Sequence, residues 1–481
     1  MSQTEPREPG SESGAEPGPP QRPYLRLTYD EGTLLVDGLP EADTQGLPHV
    51  EFDHRTRQFR AEALHYRELV LYLRDRGIPY VDEARAYAQT PWTLNVTREP
   101  FPHQIEGLRA WWDGGRLGRG VIVLPTGTGK THVANLAIEA AKRPTLVVTP
   151  TIDLMNQWYD ELSVAFSTEV GLLGGGYYEV KPLTVTTYDS AYLNMGRIGN
   201  RFGLIVFDEC HHLPGPTYGM AAVASMAPFR LGLTATPERP DNAHQQLDYL
   251  IGPIVYRREI TQLRGEYLAD YRVETVFVNL SDDEREEYEK CREVYRTFLQ
   301  DNGIDMRRPN GWGQFLFVAH RSPEGRQAYL AYRRQRDLAL AAPAKIELLG
   351  KLLDRHNGDR VIIFTHDNAT VYKVAQRFLV PVITHQTKTK ERRDILQRFN
   401  AGTYPIVATS HVLNEGVNVP EANVAIILSG SGSVRAHVQR LGRVLRKSGD
   451  KEALLYEVIS RGTAEEFTSN RRRQHSAYGG D

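Results

Sequence analysis

The sequence is poor in cysteine, contains no long apolar run and carries almost no net charge. Its two cysteines, Cys210 and Cys291, are too few for a disulfide framework or a four-ligand zinc site, which favours a reducing, cytoplasmic setting. No apolar run approaches the ~18 residues of a membrane span, and residues 1–21 are acidic and rich in proline and glycine, unlike a secretion signal. With 58 basic and 60 acidic side chains, any basic surface for a nucleic acid must be local.

The domain organisation follows from the length and from the spacing of apolar runs. A chain of 481 residues is expected to form about three domains. In two regions short apolar runs alternate with helical stretches, which is typical of parallel α/β sheets covered by helices on both faces. The predicted units are a disordered tail (1–22), a small α+β unit (23–95), a first α/β domain (96–258), a connector with a helical insert (259–345), a second α/β domain (346–465) and a basic tail (466–481).

Two local patterns describe the smaller units. Leu25, Leu27 and Tyr29 alternate with polar residues before a turn, which predicts a β-hairpin. In the connector, Ser281 and Glu284 have the spacing of a capping box at the start of a charged helix. The insert also contains aromatic residues that we interpret as a small core between helices, with base stacking as the alternative: Trp312, Phe315 and Phe317.

The strongest functional signal is the segment Leu124–Thr131, which directly follows the apolar run Val121–Val123. Its glycines let backbone N–H groups approach a phosphate, its lysine supplies charge to the terminal phosphates, and its last threonine offers a hydroxyl to Mg²⁺. A leucine stands where the generic motif has its first glycine. The pattern predicts a site for a nucleoside triphosphate and Mg²⁺ that consists of Gly127, Thr128, Gly129, Lys130 and Thr131.

A pair of carboxylates follows the apolar run Leu204–Phe207. A buried strand would deliver Asp208 and Glu209 at its carboxyl end, where open α/β sheets bind their ligands. Asp208 is predicted to hold Mg²⁺ through water, and Glu209 to polarise the attacking water as general base. The Cys-His-His tripeptide that follows cannot converge on one tetrahedral zinc ion from adjacent positions. His211 is predicted to couple the nucleotide site to a neighbouring loop, or else to be a hydrogen-bonded polar residue.

A basic motif in the second α/β domain completes the predicted catalytic residues. Gln439, Arg443 and Arg446 share one face if their segment is helical. Planar guanidinium groups suit the charge that develops on a transferring γ-phosphoryl group, where an arginine finger contributes about 10³ to 10⁵ in rate. The alternative, a solvated basic helix face, is disfavoured because the same chain contains the phosphate loop (Leu124–Thr131) and the two carboxylates.

These motifs, in this order and with Leu233–Pro237 after the carboxylates, resemble superfamily 2 helicases and translocases. The resemblance implies an α/β fold with two RecA-like P-loop domains in tandem, which close on ATP and Mg²⁺. It implies an adenine contact for Gln104 within Pro102–Gln104. The residues that it implies for strand binding are Thr151, Thr186, Thr187 and Thr409, and those for coupling are His211, Thr234, Thr236 and Gly416.

More narrowly, the chain is similar to the XPB branch, particularly to its archaeal and bacterial members. The Asp-Glu-Cys-His-His sequence, Ile251–Pro253, Asn414–Gly416 and the helical insert all fit, so that the resemblance covers residues 24–465. It implies an N-terminal domain linked to damage recognition, a thumb-like insert, and ATP-driven 3′ to 5′ unwinding of DNA, with repair as the expected setting. The implied partners are single-stranded and forked DNA and, as in archaeal members, a nuclease; we expect a monomer without membrane contact.

Two departures from the branch pattern bear on the mechanism. Arg239-Pro240-Asp241 stands where the branch has Arg-Glu-Asp, its proposed strand-opening element, and Asn418 stands where an aspartate is usual. Two other functions therefore stay open. One is an ATP-gated clamp or scaffold that binds DNA with little turnover and recruits a nuclease. The other is an ATPase that remodels RNA, since that class shares every ATPase motif.

Overall fold

The computed structural model describes residues 24–95, 98–114, 117–239, 241–263, 267, 271–306, 308, 310–410, 422–429 and 453–466. These residues form a five-stranded, an eight-stranded and a six-stranded sheet. The two larger sheets are parallel except for one edge pair of the eight-stranded sheet, and the α/β class that was predicted is confirmed. Within the described part of the chain, none of the helices combines the length and the apolar character needed to cross a bilayer.

The small N-terminal unit contains the predicted hairpin. Its elements are β1 (Leu25–Asp30), β2 (Thr33–Asp37), α1 (Glu41–Gln45), β3 (Glu51–Asp53), β4 (Gln58–Glu62), a 3₁₀ turn (Ala63–His65), α2 (Tyr66–Asp75) and β5 (Tyr80–Asp82). The strand order is β3-β4-β2-β1-β5. Glu31 and Gly32, between β1 and β2, have φ of 44° and 92°, as a two-residue hairpin turn requires. Leu25 and Leu27 are fully buried and form a core with the apolar side of α2.

The first lobe is built on the eight-stranded sheet. Its elements are α3 (Pro102–Asp113), β6 (Arg119–Val123), α4 (Lys130–Ala141), β7 (Thr145–Thr149), α5 (Ile152–Phe166), β8 (Gly171–Gly174), β9 (Tyr177–Tyr178), β10 (Leu183–Thr187), α6 (Tyr188–Ile198), β11 (Leu204–Asp208), a 3₁₀ turn (Cys210–His212), α7 (Gly219–Val223), β12 (Phe229–Thr234), a 3₁₀ turn (Ala243–Gln246), α8 (Leu247–Leu250) and β13 (Ile254–Arg257). The strand order is β13-β6-β12-β11-β7-β10-β8-β9, and every neighbouring pair but β8-β9 is parallel. The carboxyl ends of the central strands therefore meet at one sheet edge, which is where the predicted motifs begin.

The N-terminal unit docks on this first lobe through polar contacts. Tyr29 Oη donates to the carbonyl oxygens of Met195 (2.7 Å) and Ala224 (2.8 Å). Arg119, at the start of β6, donates in the opposite direction to the carbonyl of Leu64 (3.1 Å). Burial raises the pKa of Tyr29 well above its usual value, so that the phenol stays a neutral donor. The unit is thus held to the lobe at more than one point.

We expect Tyr29→Phe to loosen this docking by about 1–3 kcal/mol, because it leaves part-buried carbonyl groups without their donor. The measurement is hydrogen exchange of the β1 and β2 amides in the full chain, which should become faster. Tyr80→Phe is the matched control, since Tyr80 Oη only accepts from the exposed Arg74 Nε (3.0 Å). Equal exchange in both variants would contradict a docking role for Tyr29.

The connector carries the helical insert. Its elements are α9 (Ile260–Leu263), β14 (Tyr271–Val278), α10 (Asp282–Asp301), α11 (Gly311–Ala319) and α12 (Pro323–Leu340). The predicted capping box is present: Ser281 Oγ accepts from the Glu284 backbone N–H (3.3 Å), and Glu284 Oε2 accepts from that of Ser281 (2.9 Å). Phe315 is fully buried, but Trp312 is 39% and Phe317 59% exposed. The interpretation of these aromatic residues as a core therefore holds for Phe315 and not for Phe317.

The second lobe begins earlier in the chain than predicted. Its remaining elements are α13 (Pro343–Arg355), β15 (Val361–Phe364), α14 (Asn368–Phe378), β16 (Val382–Ile383), α15 (Thr389–Asn400), β17 (Ile406–Thr409), β18 (Val424–Ile427) and β19 (Ala453–Ser460). The strand order is β14-β19-β18-β15-β17-β16, with β14 parallel to β19 along its whole length. The strand 271–278, which lies before the insert, thus belongs to the second sheet, whereas the predicted boundary was at 346. Its pairing with β19, whose residues lie about 180 positions further along the chain, has no local sequence signal.

Candidate nucleotide and nucleic-acid site

The phosphate loop lies between β6 and α4, as predicted. Gly127 and Gly129 have φ of 89° and 83°, a left-handed backbone that favours glycine. A Cβ atom on Gly129 would collide with Gln104 Nε2, so any other residue there would displace the Gln104 side chain. Thr128 Oγ1 donates to the carbonyl of Pro125 (2.7 Å) and stabilises the loop from within. The loop leads directly into the amino end of α4, whose backbone N–H groups and dipole suit an anion.

Lys130 begins α4 and folds its side chain back over the loop. Its Nζ donates to the carbonyl oxygens of Leu124 (3.1 Å) and Pro125 (3.5 Å). A charged phosphate oxygen is a stronger acceptor than a neutral carbonyl, so the ammonium group can exchange these bonds for a terminal phosphate. Thr131 lies half-buried in the same first turn of the helix. Both residues lie where the loop joins α4, and their contacts with a triphosphate stay a prediction.

Gln104 contacts the phosphate loop directly. Its side chain is fully buried, with Nε2 donating to the Thr128 carbonyl (2.9 Å) and Oε1 accepting from the Phe101 backbone N–H (2.9 Å). His103 Nε2 lies 3.0 Å from the same Thr128 carbonyl. Both polar ends of the Gln104 amide are engaged in this conformation, so its observed role is to brace the loop. The adenine contact stays a prediction.

Asp208 and Glu209 lie at the carboxyl end of β11. Asp208 Oδ2 accepts from Trp158 Nε1 (2.7 Å), and Oδ1 accepts from the Glu209 backbone N–H (3.0 Å). Burial and the charge of Glu209 raise the pKa of Asp208 above its usual value, against the opposing effects of Trp158 and Lys130. Glu209 has a left-handed backbone (φ 47°). That conformation costs a non-glycine residue about 1–2 kcal/mol and is found preferentially at functional sites.

The predicted coupling residues of the first lobe lie in one contiguous set with Glu209. The buried Glu209 Oε2 accepts no hydrogen bond among the described residues and lies 3.5 Å from His211 Nδ1. The same nitrogen of His211 lies 3.0 Å from Thr234 Oγ1, which accepts from the Thr236 backbone N–H (3.2 Å). A change at the carboxylate can therefore reach the end of β12 through direct contacts.

Arg239, in the segment that departs from the branch pattern, contacts the coupling residue His211. Arg239 donates to both carboxylate oxygens of Asp241 (3.0 and 2.6 Å) and, through Nη1, to the carbonyl of His211 (2.9 Å). Asp241 holds the guanidinium group in a bidentate pair, and its own pKa is lowered by Arg239. In this chain the Arg239–Asp241 pair therefore connects the end of β12 to the carboxylate motif.

The tripeptide after the carboxylates, Cys210–His212, forms a 3₁₀ turn. Within the part of the chain that the structure describes, the histidine, cysteine and carboxylate side chains close enough to share an ion are His49, His65 and Glu68, in the N-terminal unit. Cys210 is fully buried, and burial together with the neighbouring carboxylates raises the pKa of its thiol.

Two of the predicted strand-binding threonines are helix caps at the same sheet edge. Thr151 Oγ1 accepts from the Leu154 backbone N–H (3.2 Å) at the start of α5, and Thr187 Oγ1 accepts from that of Ser190 (3.3 Å) at the start of α6. They follow the parallel strands β7 and β10, which lie on one side of β11 in the sheet. The caps therefore lie at the edge that carries Asp208.

The other two threonines have buried side chains. Thr186 is fully buried and its Oγ1 donates to the carbonyl of Leu173 (2.7 Å). Thr409, at the end of β17, is also fully buried and its Oγ1 donates to the carbonyl of Ser410 (3.4 Å). Neither hydroxyl can reach a phosphate in this conformation. We therefore correct the predicted contact for Thr186 and Thr409. It stays a prediction for the two caps, of which Thr151 is half-buried, whereas Thr187 is 6% exposed and its Oγ1 also donates to Ser190 Oγ (3.1 Å).

Three family models match consecutive parts of the chain. The damage recognition domain of the Xeroderma pigmentosum group B helicase matches residues 27–84. The res subunit of type III restriction enzymes matches residues 97–239, and the helicase conserved C-terminal domain matches residues 344–448. Their order agrees with a small N-terminal unit followed by two helicase lobes.

Relatives over nearly the whole chain decide the family. The DNA 3′-5′ translocase XPB2 of Sulfurisphaera tokodaii is 38% identical over 452 residues, which cover 94% of this chain and 100% of that protein. The chain belongs to the XPB family of helicases. The DNA 3′-5′ helicase XPB of Kineococcus radiotolerans is 32% identical over 412 residues, which cover 82% of this chain and 65% of that protein. Membership in the XPB family confirms the predicted class of enzyme, a DNA helicase that hydrolyses ATP.

Solved structures agree with the XPB-family fold. The helicase domain of Pyrococcus furiosus Hef superposes with a TM-score of 0.54 at 20% identity and covers 76% of this chain and 97% of that one. Saccharomyces cerevisiae Dbp5 bound to RNA and ADP BeF3 superposes with a TM-score of 0.55 at 14% identity, over 80% of this chain and 88% of that one. At these identities the likeness shows the fold alone.

Part of the predicted XPB-family machinery lies outside the described residues. Gln439, Arg443 and Arg446 belong to this part, as do Gly416 and Asn418. The catalytic role of the first three and the coupling role of Gly416 stay predictions.

The described residues fit a triphosphate with Mg²⁺. Asp208 and Thr131 offer the hard oxygen ligands that Mg²⁺ prefers. Among the described residues, Glu209 Oε2 and Thr126 Oγ1 are buried atoms without a hydrogen-bond partner, one at the carboxylate motif and one in the phosphate loop. Buried polar atoms without partners are costly, and a bound ligand or its water would satisfy them. The donor set therefore matches the ligand that the XPB-family motifs imply.

Proposed function

We propose that this XPB-family chain is an ATP-driven motor that moves 3′ to 5′ along DNA, separates its strands and acts in DNA repair. One observation carries the proposal: a single sheet edge bears the phosphate loop with Lys130, the Asp208–Glu209 pair, and the helix caps Thr151 and Thr187. The first three residues suit ATP hydrolysis and the caps suit contact with a phosphate backbone. The two similar relatives named above carry 3′-5′ translocase and helicase in their names.

In the proposed hydrolysis, each residue has a separate task. Lys130 holds the terminal phosphate, and Glu209 accepts the proton of the attacking water. Thr131 and Asp208 would hold Mg²⁺, which when bound neutralises charge on the phosphates. Arg443 and Arg446, with Gln439, would complete the site from the second lobe, where their charge stabilises the transferring phosphoryl group.

Coupling to movement would follow from the contacts of the first lobe. Glu209 meets His211, and His211 meets Thr234, so that the state of the nucleotide can alter the end of β12. If ATP closes the two lobes and hydrolysis releases them, the strand contacts on each lobe engage alternately and the enzyme advances along one strand.

Thr151 can cap its helix and contact the DNA strand at the same time. A threonine hydroxyl accepts a hydrogen bond through its lone pairs and still has one O–H to donate. The cap bond from Leu154 uses the acceptor side of Thr151, which leaves its O–H for a phosphate oxygen. The amino end of α5 adds a favourable dipole for the same anion.

We expect Thr151→Asp to weaken the affinity for single-stranded DNA by fivefold or more, because two like charges near 4 Å repel by about 1–4 kcal/mol. Aspartate and asparagine are both good helix caps, so Thr151→Asn is the matched control and should bind DNA close to wild type. Fluorescence anisotropy of labelled DNA at fixed salt measures both affinities. Equal binding by the two variants would remove Thr151 from the strand contacts.

The decisive experiment measures ATP hydrolysis with single-stranded, forked and duplex DNA, and with RNA as control, together with strand displacement on substrates of either polarity. We expect stimulation by DNA and displacement in the 3′ to 5′ direction. Tight DNA binding without stimulated hydrolysis would instead select the clamp or scaffold function, and preferential stimulation by RNA would select RNA remodelling. The nuclease partner, the monomeric state and the cytoplasmic location stay predictions.

A further inference from the structure

One helix of the first lobe touches the predicted strand path, the second lobe and the carboxylate motif. Helix α5 begins after the cap Thr151 and carries Asp153 in its first turn, which pairs with Arg392 of the second lobe. About two helical turns after Thr151, the side chain of Trp158 is buried (2% exposed), and its indole Nε1 donates to Asp208 Oδ2 at 2.7 Å. From Thr151 to Trp158 the helix spans about 10 Å. A short rigid element thus joins three places that the proposed cycle must coordinate.

We propose that Trp158 is a positioning residue, which holds the Asp208 carboxylate in its metal-binding orientation and transmits to it the movements of the amino end of α5. The inference rests on the proposed function, in which Asp208 holds Mg²⁺. The inference adds one residue, Trp158, to the proposed mechanism. It also adds a path by which movements at the Thr151 strand contact or at the Arg392 ion pair reach Asp208 through α5. This route is separate from the His211 contacts on the other side of the motif.

The chemistry of an indole suits this task. It is a donor only and it is neutral, so it can orient a carboxylate without adding a charge that competes with a metal ion. A lysine in its place would repel the ion. The carboxylate is held from both sides, because Oδ1 accepts from the Glu209 backbone N–H (3.0 Å) while Oδ2 accepts from Trp158. Each oxygen keeps a further lone pair for a water or a metal.

Burial of Trp158 restricts the movement of its side chain relative to α5. Trp158 packs in the main core of the first lobe, with Val147, Val206 and Leu162 in the same cluster. A side chain of this size in a close-packed interior cannot turn away, so a shift of α5 must shift the indole and its bond to Asp208. Partners that orient metal ligands in this way contribute about 10- to 100-fold to metal affinity or activity.

The test compares two buried indoles of the same lobe. Trp158→Phe removes the donor to Asp208, while the matched control Trp111→Phe removes a donor to the Arg230 carbonyl (2.9 Å) from an equally buried position. The affinity of a non-hydrolysable ATP analogue is measured with Mg²⁺ and with EDTA. We expect Trp158→Phe to weaken the Mg²⁺-dependent affinity by about 10- to 100-fold and to leave the metal-free affinity near wild type. Trp111→Phe should change neither.

A second measurement tests the route through the helix. Single-stranded DNA should raise the Mg²⁺-dependent affinity of the wild type, and the enhancement should fall towards onefold in Trp158→Phe. If Trp158→Phe loses equal nucleotide affinity with and without Mg²⁺, or if both tryptophan variants lose equal affinity, the positioning role is overturned and Trp158 contributes through packing alone. A wild type without Mg²⁺-dependent binding would overturn the proposed function as well, whereas a normal wild type with an unaffected Trp158→Phe overturns the inference alone.

Discussion

Glu209→Gln is expected to lower DNA-stimulated ATP turnover by about 10²- to 10⁴-fold, the usual contribution of a positioned general base. Glutamine keeps the size of the side chain but cannot take up a proton. The wild-type Oε2 is buried and accepts no hydrogen bond among the described residues, so it is available for the attacking water. Nucleotide affinity should stay near wild type, because the phosphate loop is unchanged. Phosphate release at saturating ATP and equilibrium binding of the nucleotide separate the two effects.

Two further variants locate this effect in the site. Lys130→Ala should lose nucleotide affinity together with turnover, since it removes the charge that faces the terminal phosphate. Glu179→Gln is the matched control, because Glu179 is an exposed carboxylate of the same lobe that pairs with Lys181 (2.8 Å). It should hydrolyse ATP like the wild type. Turnover in Glu209→Gln as high as in this control would refute the assignment of Glu209 as the base.

The second large effect concerns a buried ion pair of the second lobe. Lys345 of α13 is fully buried, and its Nζ donates to Glu465 Oε2 (2.6 Å) and to the carbonyl oxygens of Leu428 (2.9 Å) and Val458 (3.0 Å). Glu465 is also buried and accepts from the Ser460 backbone N–H (2.9 Å). The pair fastens the segment after β19 to the helix that precedes β15.

We expect Lys345→Met to lower the free energy of unfolding of the second lobe by about 3–5 kcal/mol, because it removes the cation from a buried, hydrogen-bonded ion pair. Denaturant unfolding, followed by hydrogen exchange of the β15 and β18 amides, measures the loss. The double variant Lys345→Met with Glu465→Leu should recover part of the lost stability, since the buried carboxylate is then removed as well.

An exposed ion pair provides the control for this prediction. Lys290 and Glu286 lie 2.6 Å apart on α10, with both side chains largely exposed, so Lys290→Met should cost no more than about 0.5 kcal/mol. A similar loss in Lys345→Met and Lys290→Met would show that the buried pair contributes little. If the double variant is no more stable than Lys345→Met alone, the loss comes from the three hydrogen bonds that Lys345 Nζ donates and not from the charge of Glu465.

Several parts of the site were predictable because their signals are local. The strand, loop and helix around Leu124–Thr131 were predicted correctly, since an apolar run followed by a glycine-rich loop is a local pattern. The cap at Ser281 and the hairpin at Glu31-Gly32 depend on residues within four positions of each other. The carboxylate pair was placed at a sheet edge because a buried parallel strand must end there.

Other parts of the site were not predictable because they depend on contacts between distant segments. Gln104 was expected to contact adenine, yet its amide lies against the loop around Thr128. Nothing in the neighbouring sequence indicates that Trp158 donates to Asp208, fifty residues further along the chain. A buried indole must find an acceptor, but which acceptor depends on how α5 packs on the sheet.

The amino-acid sequence by itself determined the chemistry of this protein and its local elements, because periodicity, caps and glycine-rich loops act over a few residues. Only the tertiary structure decided which threonine side chains are fully buried, that β14 joins the second sheet across the insert, and that one helix links Thr151 to Asp208. The physical reason is that side-chain burial and strand pairing are set by packing between elements, and packing partners leave no mark in the local sequence.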